Sequence, residues 1–370
     1  MSNKLNVVLI FGGKSGEHDV SLMSARSVLN AIDHEKYQVF QVGITHEGRW
    51  TYAENTLIAF EDELTDLLNE ALILSKGETV CLYEVVNGQL QEVTAIDIVF
   101  PILHGTFGED GTIQGLLEIQ NCAYVGSGVL ASSVAMDKAL CKDVIAHAGI
   151  PVLPDGVFNR REIETDLETV AAAAEKISAY PLFVKPANLG SSVGISKAKN
   201  RDELRAALLL AARYDRRVLV ERGIEAREIE ISLLGNENPF VSQPGEIIPG
   251  DEFYTYRDKY LSGDPRFAIP AAIPNQLSNQ LKTWAAQAFR LIDASGLARA
   301  DFLLDKNSGE AWFSEINTMP GFTQISMFSK LLAHSGYEYT QLIDRLIELG
   351  LQRKADQART IRKFEVNDEH

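Results

Sequence analysis

Stretches with a strand-like pattern of apolar residues and stretches with a helical pattern follow one another along most of the chain. Short apolar runs of strand length, such as 7–11, 39–44 and 96–103, alternate with stretches of helical periodicity. The first helical stretch carries apolar side chains at Ala25, Val28, Leu29 and Ile32. This alternation predicts an α/β protein, and the segment 7–126 is typical of a doubly wound domain.

The chain is too long for one ordinary domain, because 370 residues favour two or three. A second region opens with a helix through Met136 and ends with the strand 217–221, and the remainder carries long strands and a closing helix. We therefore predict three domains with the boundaries 1–126, 127–221 and 222–370.

One segment, 244–273, has no clear period and is rich in glycine, proline, aspartate and tyrosine. Loops of this length are uncommon in compact domains and are usually lids or disordered segments. The aromatic rings in it argue against disorder; they are Phe253, Tyr254, Tyr256, Tyr260 and Phe267. We predict that this segment is a lid.

The composition is that of a globular protein, with 45% hydrophobic and 23% charged residues. No apolar run approaches the roughly 18 residues that a membrane helix requires. The apolar run 7–11 is also too short for the core of a signal peptide. We therefore expect a cytoplasmic protein without a membrane partner.

The charge of the chain bears on its partners, since 35 basic and 51 acidic residues give a net charge of -16. Such a surface repels a phosphate backbone, so a nucleic acid partner is not expected. A small anion such as a nucleotide remains compatible, because a local basic cleft can overcome the global field.

The three cysteines, Cys81, Cys122 and Cys141, are widely separated along the chain. An odd and scattered set of cysteines argues against a disulfide framework and against a zinc site. We expect all three to be reduced residues that pack in the interior.

Two glycine patterns resemble nucleotide-binding motifs that the surrounding chain does not complete. The segment 12–15 ends like a P-loop, but Val8 occupies the position of the required first glycine. The segment 126–131 fits the relaxed dinucleotide pattern, but no acidic residue lies at the expected position about 20 residues further on. A nicotinamide-dependent enzyme is therefore the alternative from another reaction class.

A hairpin near the C-terminus provides the strongest chemical signal in the sequence. The segment 299–305 alternates polar and apolar residues, 306–309 supplies turn residues, and 310–317 returns as a second strand. This pattern predicts a β-hairpin whose turn is centred on Ser308.

In that register Asp301 faces Glu315 and Arg299 faces Asn317, so four polar side chains share one face. Two carboxylates and an amide oxygen are hard ligands that suit Mg²⁺. A solvent-exposed ion pair is the alternative, but the surrounding residues are apolar. On the opposite face these are Phe302, Leu304, Trp312 and Ile316, and on the polar face Leu303 and Phe313. A cleft with metal ligands at Asp301, Glu315 and Asn317 is therefore favoured.

A second candidate for ligand binding is the loop 187–195, which follows a strand that delivers Lys185. Glycine and serine residues in such a loop let backbone N–H groups approach phosphate oxygens, and the lysine adds a positive charge. A plain hairpin turn has a similar composition. The Lys185-Pro186 lead-in and the Ser191-Ser192 pair favour phosphate binding.

Five motifs occur in order over nearly the whole chain. They are Phe11-Gly12-Gly13-Lys14-Ser15-Gly16-Glu17-His18, His104-Gly105-Thr106-Phe107-Gly108-Glu109-Asp110-Gly111, Met136-Asp137-Lys138, the loop 185–194, and Asn317-Thr318-Met319-Pro320-Gly321-Phe322-Thr323. Together they resemble the ATP-grasp superfamily and, within it, the D-alanine:D-alanine ligase family. The resemblance implies a three-domain α/β architecture with ATP held between the second and third domains.

The resemblance also implies which residues contact the nucleotide. Lys138 and Lys185 correspond to residues that contact the phosphates, and Lys259 to the lid's phosphate contact. Glu221 looks like the adenine-side residue and Glu228 like the ribose ligand. The implied cofactors are ATP and Mg²⁺ or Mn²⁺.

For the first substrate, Glu17 is similar to the residue that binds the ammonium group of the first D-alanine. A carboxylate at such a turn otherwise serves as a helix N-cap, which contributes about 1 kcal/mol. Ser191 and Tyr260 resemble its partners in a hydrogen-bonded set that draws the lid over the site. His104 is placed near the first substrate in the family, although a structural role is the alternative.

The implied reaction has two steps: one D-alanine carboxylate attacks the γ-phosphate of ATP, and the amine of a second D-alanine then attacks the acyl phosphate. Arg299 and the backbone N–H of Gly321 would stabilise the tetrahedral oxyanion. Ser326 and Met327 resemble the walls around the second substrate. The product, D-alanyl-D-alanine, is a peptidoglycan precursor.

Several alternatives remain within this interpretation. A non-catalytic nucleotide-binding module is one, and relatives that join D-alanine to D-lactate or D-serine are another. Alternation around Glu228 also fits a strand with one solvated face, which we expect for Glu230. A homodimer with small-molecule substrates is expected.

Overall fold

The computed structural model describes residues 4–190, 193–248 and 266–361. Within these residues the main strands form three sheets, which we call the first, central and C-terminal sheets in chain order. No helix in this part of the chain is long and apolar enough to cross a membrane.

The first sheet has the strand order β6-β5-β4-β3-β2-β1-β7. Its strands are β1 (Leu5–Gly12), β2 (Tyr37–Ile44), β3 (Trp50–Tyr52), β4 (Asn69–Lys76), β5 (Thr79–Val86), β6 (Gln89–Ala95) and β7 (Ile98–Pro101). The associated helices are α1 (His18–Ala31), α2 (Thr56–Glu61), α3 (Thr112–Ile119) and a 3₁₀ turn at Thr65–Leu67. Only β2, β1 and β7 are parallel. The strands β3 to β6 add an antiparallel extension that the sequence pattern did not predict.

The apolar run 7–11 forms the centre of β1 and has no solvent exposure. Parallel strands are covered on both faces, which explains why this strand is continuously apolar instead of alternating. The glycines that follow it adopt positive φ at Gly12 and Gly13 and turn the chain towards α1. This turn places the segment 15–18 at the carboxyl end of the strand.

The central sheet is antiparallel and has the order β10-β9-β11-β8. Its strands are β8 (Asp155–Asn159), β9 (Leu182–Pro186), β10 (Ser196–Ala198) and β11 (Arg217–Arg222). The helices of this region are α4 (Val129–Met136), α5 (Lys138–His147), α6 (Arg160–Thr165), α7 (Leu167–Ala174) and α8 (Arg201–Tyr214). The side chain of Asp137 caps α5 by accepting a hydrogen bond from the backbone N–H of Leu140, which fixes Lys138 at the first helical position.

In the C-terminal sheet the described strands have the order β15-β14-β12-β16-β17, and β13 pairs with β12. They are β12 (Ala226–Gly235), β13 (Phe240–Val241), β14 (Gly245–Ile248), β15 (Arg266–Ala268), β16 (Gly296–Asp305) and β17 (Ala311–Asn317). The helices here are α9 (Asn275–Leu291), α10 (Met327–His334) and α11 (Tyr339–Gln357). Helix α11 packs in the same hydrophobic cluster as the first sheet, through Leu342 and Leu346. The boundaries 1–126, 127–221 and 222–370 stay a prediction.

The predicted hairpin is formed by β16 and β17, and its register is confirmed for both predicted pairs of polar residues. A β-bulge after Asp301 then shifts the register, so that Phe302 lies opposite Phe313. The prediction that Phe313 lies on the polar face is therefore wrong. It is 1% exposed and packs edge-on against Phe302, while Trp312 is only half-buried.

The segment 244–273 was expected to be irregular throughout, and this is wrong at both ends. β14 and β15 pair as antiparallel strands, with Ile247 opposite Phe267. The predicted lid residues between them, Lys259 and Tyr260, lie outside the described residues.

The three cysteines are free and buried, as the sequence predicted. Cys81 and Cys122 are 2% exposed and Cys141 is fully covered. Burial raises the pKa of the Cys122 thiol to about 12, so it is protonated and unreactive at neutral pH.

Candidate active site

A cavity of about 370 Å³ lies between the central sheet and the C-terminal sheet. Seven residues that the sequence singled out line it: Lys138, Lys185, Glu221, Glu228, Arg299, Asp301 and Glu315. An apolar part is formed by Leu153, Phe183, Ile195, Ile224 and Leu303. This volume and this mixture of apolar and charged walls are typical of a small-molecule site.

Three carboxylates form a row across neighbouring strands of the C-terminal sheet. Glu230 on β12 lies opposite Asp301 on β16, which in turn lies opposite Glu315 on β17. Directly opposed residues on adjacent strands have Cβ atoms about 4.5–5.5 Å apart, so their charges interact strongly. The expectation that Glu230 lies on a solvated face is wrong, because it is only 5% exposed.

Arg299 neutralises part of this row. Its Nε and Nη2 groups donate to the two carboxylate oxygens of Asp301, at 2.7 and 2.6 Å. Nε also lies 3.0 Å from a carboxylate oxygen of Glu230. Burial would lower the pKa of the Arg299 guanidinium, but the carboxylates of Asp301 and Glu230 raise it well above its ordinary value. Arg299 is therefore a permanent cation in the cavity wall.

Lys138 provides a second cation at the other end of the row. Its Nζ lies 3.0 Å from Oε2 of Glu315 and donates to the backbone carbonyl of Leu189 at 2.9 Å. Burial lowers the pKa of Lys138, whereas the Glu315 carboxylate raises it, and the net pKa lies above the ordinary value. The lysine thus connects α5, the glycine-rich loop and β17.

A third group of charges lies on the central sheet. The carboxylate of Glu221 pairs with Lys185 and lies 3.0 Å from Nζ of Lys142. Lys142 also pairs with Asp155 at 2.5 Å, and its side chain is 2% exposed. Burial raises the pKa of the Glu221 carboxyl, but the two lysines lower it to about 2. Glu221 is therefore a carboxylate that fixes the position of Lys185 in the cavity.

Oxygen ligands for a divalent cation are present at the predicted positions. Nδ2 of Asn317 donates to Oδ2 of Asp301 at 3.1 Å. Glu315 lies directly opposite Asp301, so two carboxylates and one amide group occupy neighbouring positions beside the bulge of the hairpin. This donor set fits Mg²⁺ or Mn²⁺, which favour oxygen ligands.

The carboxylate of Glu17 lies where the first sheet meets the glycine-rich loop. A Cβ atom on Gly105 would lie 2.5 Å from Oε2 of Glu17, and one on Gly190 would lie 2.7 Å from the same atom. Ser15 supports the turn, since its Oγ accepts from the Glu17 backbone N–H and donates to the carbonyl of His104. The two glycines therefore leave room for a carboxylate that is 9% exposed.

His104 is buried at the junction of the first sheet and the C-terminal segment. Nδ1 lies 3.0 Å from the carbonyl of Met319, and Nε2 lies 2.9 Å from Oγ of Ser24. Burial lowers the pKa of His104, but Glu109 and Glu17 raise it, and the net pKa lies above the ordinary value. Because both ring nitrogens have protein partners, the imidazole orients the loop beside Glu17.

Three predicted residues lie in the segment before and at the start of α10. Gly321 is half-buried. Oγ of Ser326 accepts from the backbone N–H of Thr323 at 3.1 Å. Met327 is buried against Ile247. The other predicted residues, Ser191, Lys259 and Tyr260, lie outside the described residues.

Two charged residues that the structure places at the site, Lys142 and Glu230, were not predicted as site residues. No sequence motif marks Lys142, because its partners Asp155 and Glu221 are distant in sequence. Glu230 was assigned to the wrong environment, because a strand's alternation does not show whether its polar face meets solvent or another sheet. Its register opposite Asp301 would have been the useful signal.

Comparison with known proteins identifies the family of this chain. The family model for the D-ala D-ala ligase N-terminus matches residues 6–127, and that for the D-ala D-ala ligase C-terminus matches residues 144–348. A D-alanine--D-alanine ligase from Chloroherpeton thalassium is 48% identical over 369 residues, with 98% of this chain and 100% of that protein covered. The chain belongs to the D-alanine–D-alanine ligase family.

Solved structures of the family have the same fold. The D-alanine-D-alanine ligase from Coxiella burnetii has a TM-score of 0.82 and 34% identity, and 97% of each chain is covered. The VanG D-Ala:D-Ser ligase from Enterococcus faecalis has a TM-score of 0.78 and 31% identity, with 94% of this chain and 100% of that chain covered. The predicted α/β ATP-grasp architecture and the resemblance to this ligase family are confirmed.

In this member of the D-alanine–D-alanine ligase family, the glycines of the dinucleotide-like pattern at 126–131 serve packing. A Cβ atom on Gly296 would lie 3.2 Å from the Cα and N atoms of Gly126, so the two backbones are in close contact. Gly128 then precedes the first residue of α4. The glycines therefore allow close approach of two segments. The relatives of this chain are ligases, so the nicotinamide-dependent alternative is not retained.

Proposed function

We propose that this chain joins two D-alanine molecules into D-alanyl-D-alanine, a peptidoglycan precursor, in an ATP-dependent reaction. The activity is that of the family to which the chain belongs. The observation that carries the residue assignments is the 370 Å³ cavity, in which Lys138 and Arg299 pair with the row of carboxylates and Lys185 pairs with Glu221. Cations and carboxylates arranged in this way can hold phosphate groups and a divalent cation together.

For the nucleotide, we assign the phosphates to Lys138 and Lys185. Both lysines line the cavity, and both are held by carboxylates that stop them from swinging into solvent. Glu221 is assigned to the adenine side, where the apolar wall lies, and Glu228 to the ribose. Glu228 is half-buried and lies on β12 opposite Leu303, at the edge of the same cavity.

For the divalent cation, Asp301, Glu315 and Asn317 would be the ligands, and Mg²⁺ or Mn²⁺ fits them. When bound, such an ion neutralises charge on the phosphates during phosphoryl transfer. Before it binds, Arg299 and Lys138 pair with Asp301 and Glu315 and compensate their charges.

For the first D-alanine, Glu17 would accept the ammonium group. Its carboxylate lies beside Gly105 and Gly190, and the absence of side chains at both positions leaves the carboxylate room at the junction with the glycine-rich loop. The neighbouring glycine-rich loop would bring the γ-phosphate to the substrate carboxylate. Positioning of these two groups supplies most of the acceleration in phosphoryl transfer.

For the second step, Arg299 and the backbone N–H of Gly321 would stabilise the oxyanion that forms when the second amine attacks the acyl phosphate. The C–N bond forms first and gives the tetrahedral oxyanion. Its collapse breaks the C–O bond, and the group leaves as inorganic phosphate, which can accept the proton that the amine loses. Ser326 and Met327 would bound the second substrate.

We further propose that the protein is a cytoplasmic homodimer without a nucleic acid or membrane partner. Its free and buried cysteines fit a reducing compartment. Its net charge of -16 disfavours binding to nucleic acid and to anionic membranes. Sedimentation of the purified protein measures the oligomeric state directly.

The central test of function is ADP release in the presence of single D- and L-amino acids, D-serine and D-lactate. The proposal predicts ADP release and D-alanyl-D-alanine formation with D-alanine alone. Formation of a mixed product only when D-serine or D-lactate is added would assign the second substrate to one of those. Absence of ADP release with every substrate would leave the chain a non-catalytic nucleotide binder.

A further inference from the structure

Arg299 contacts the carboxylates of Asp301 and Glu230, and of these two only Asp301 was predicted as a site residue from the sequence. Nε carries a single hydrogen, which it donates to Oδ1 of Asp301 at 2.7 Å. The same nitrogen lies 3.0 Å from a carboxylate oxygen of Glu230. Glu230 and Asp301 lie directly opposite each other on adjacent strands of the sheet. Either carboxylate can therefore hold the guanidinium with little movement.

Asp301 has two roles that conflict. Both of its oxygens accept hydrogen bonds from Arg299, and one also accepts from Asn317. The same carboxylate is the proposed ligand of a divalent cation. A guanidinium and a divalent cation on one carboxylate edge repel each other, so Arg299 needs another anchor when Asp301 binds the ion.

We propose that Glu230 is this anchor and acts as a positioning residue for Arg299. With a divalent cation bound to Asp301, Nε of Arg299 would donate its hydrogen bond to Glu230 instead, which would keep the guanidinium in the cavity wall where it can act on the oxyanion. Glu230 suits this role because it is 5% exposed and lies within the ten-residue strand β12. The inference rests on the proposed roles of Asp301 and Arg299.

The sheet provides a matched control for Glu230. Arg227, on the same strand, makes two hydrogen bonds with Glu246, at 2.7 and 2.6 Å. Because side chains alternate along a strand, Arg227 points to the face of β12 opposite to that of Glu230. Glu246→Gln therefore removes an arginine-bound carboxylate from the same sheet without touching Arg299.

The first experiment measures Mn²⁺ binding to the substrate-free protein by electron paramagnetic resonance. Without Glu230, Arg299 keeps its pairing with Asp301 and competes with the ion there. We expect Glu230→Gln to weaken Mn²⁺ binding about 10- to 100-fold, the range found for groups that orient metal ligands. Glu246→Gln should bind Mn²⁺ as wild type does, and Asp301→Asn should lose the site.

These variants distinguish an error in the proposed metal site from an error in the role of Glu230. If Asp301→Asn binds Mn²⁺ like wild type, the proposed metal site is wrong. If Asp301→Asn loses the ion but Glu230→Gln binds it normally, the metal site stands and the role of Glu230 is refuted. Should Glu230→Gln not fold, Glu230→Asp tests the same point, since it withdraws the carboxylate from Nε by one methylene.

A double-mutant cycle tests whether Glu230 acts through Arg299. In an Arg299→Met background the competition for Asp301 is gone, so adding Glu230→Gln should leave Mn²⁺ affinity unchanged. Equal losses in both backgrounds would show that Glu230 attracts the ion directly, and the positioning role would be wrong.

Kinetics supply a further readout. Glu230→Gln, assayed at saturating Mn²⁺, should lower kcat for dipeptide formation and leave the KM for ATP within twofold of wild type, because Arg299 acts on the oxyanion. A rise in the KM for ATP with unchanged kcat would place Glu230 at the nucleotide instead and overturn the proposal.

Discussion

Lys138 and Glu315 form an ion pair of 3.0 Å that joins the first turn of α5 to the last strand of the C-terminal sheet. The lysine also donates to the carbonyl of Leu189, in the glycine-rich loop. On the proposed assignment this carboxylate would have two functions, since it would orient a cation for phosphate and offer an oxygen to a metal ion. Removing its charge should affect both.

We therefore expect Glu315→Gln to lower the rate of ADP release by at least about two orders of magnitude, because loss of a residue that only orients a metal ligand already costs up to about 100-fold. Raised Mg²⁺ should restore part of the activity, because the amide keeps one oxygen ligand. A suitable control is Glu310→Gln, which alters an exposed carboxylate at the turn of the same hairpin. Unchanged turnover at ordinary Mg²⁺ would contradict the assignment.

Glu17→Gln should weaken use of the first D-alanine more than that of ATP. Loss of one partner from a buried charge pair costs about 2–5 kcal/mol. Initial rates over a matrix of D-alanine and ATP concentrations separate the two effects. Asp19→Asn, which changes an exposed carboxylate at the start of α1, should behave as wild type. Equal increases in both KM values would indicate a structural role for Glu17.

Gly190→Ala should disturb the same carboxylate without changing its charge. The new Cβ would lie 2.7 Å from Oε2 of Glu17, so the flexible end of that side chain has to move. A displacement near 1 Å at a positioning group lowers activity roughly 100-fold, and we expect a loss up to that size, expressed mainly in the KM for D-alanine. Gly115→Ala, where a Cβ meets no atom within 4 Å, is the control.

The stability contributed by Glu221 should depend on pH. Its pKa is lowered from 4.5 to about 2 in the folded chain, so the contribution is complete above pH 4.5 and is lost as pH falls towards 2. Glu221→Gln leaves Lys142 and Lys185 without their shared carboxylate, which should cost about 3–5 kcal/mol at neutral pH.

Chemical denaturation of wild type and Glu221→Gln at several pH values measures this effect. The difference in unfolding free energy should shrink below pH 4.5, because protonation of Glu221 makes the wild type resemble the variant. A difference that stays constant down to pH 3 would show that the lysines do not depend on the ionised carboxylate.

The sequence predicted the parts of the fold that depend on local pattern. The buried strand at 7–11, the hairpin and its two polar pairs follow from hydrophobic periodicity and turn residues. The bulge after Asp301 could not be predicted, because one extra residue changes which face Phe313 occupies without changing the composition. The antiparallel strands β3 to β6 were missed since they are short or partly exposed.

The site shows the same division between local and long-range information. Motifs and the hairpin pattern predicted Lys138, Lys185, Asp301 and Glu315, and all four line one cavity. Lys142 was not predicted, because a buried lysine can be recognised only through its partners, and Glu221 lies 79 residues away. Glu230 required knowledge of strand pairing, which is a tertiary property.

The rate at which a reagent labels the buried thiols measures how often the surrounding parts of the protein open. Cys122 belongs to the hydrophobic cluster of the first sheet, and Cys141 to the cluster beneath the C-terminal sheet. A thiol reagent reaches either cysteine only when its surrounding cluster opens. Mass spectrometry can follow the labelling of each cysteine separately, and it therefore measures the opening rate of each cluster. Ligands that hold the sheets together should slow both reactions, whereas a ligand confined to one sheet should slow only one.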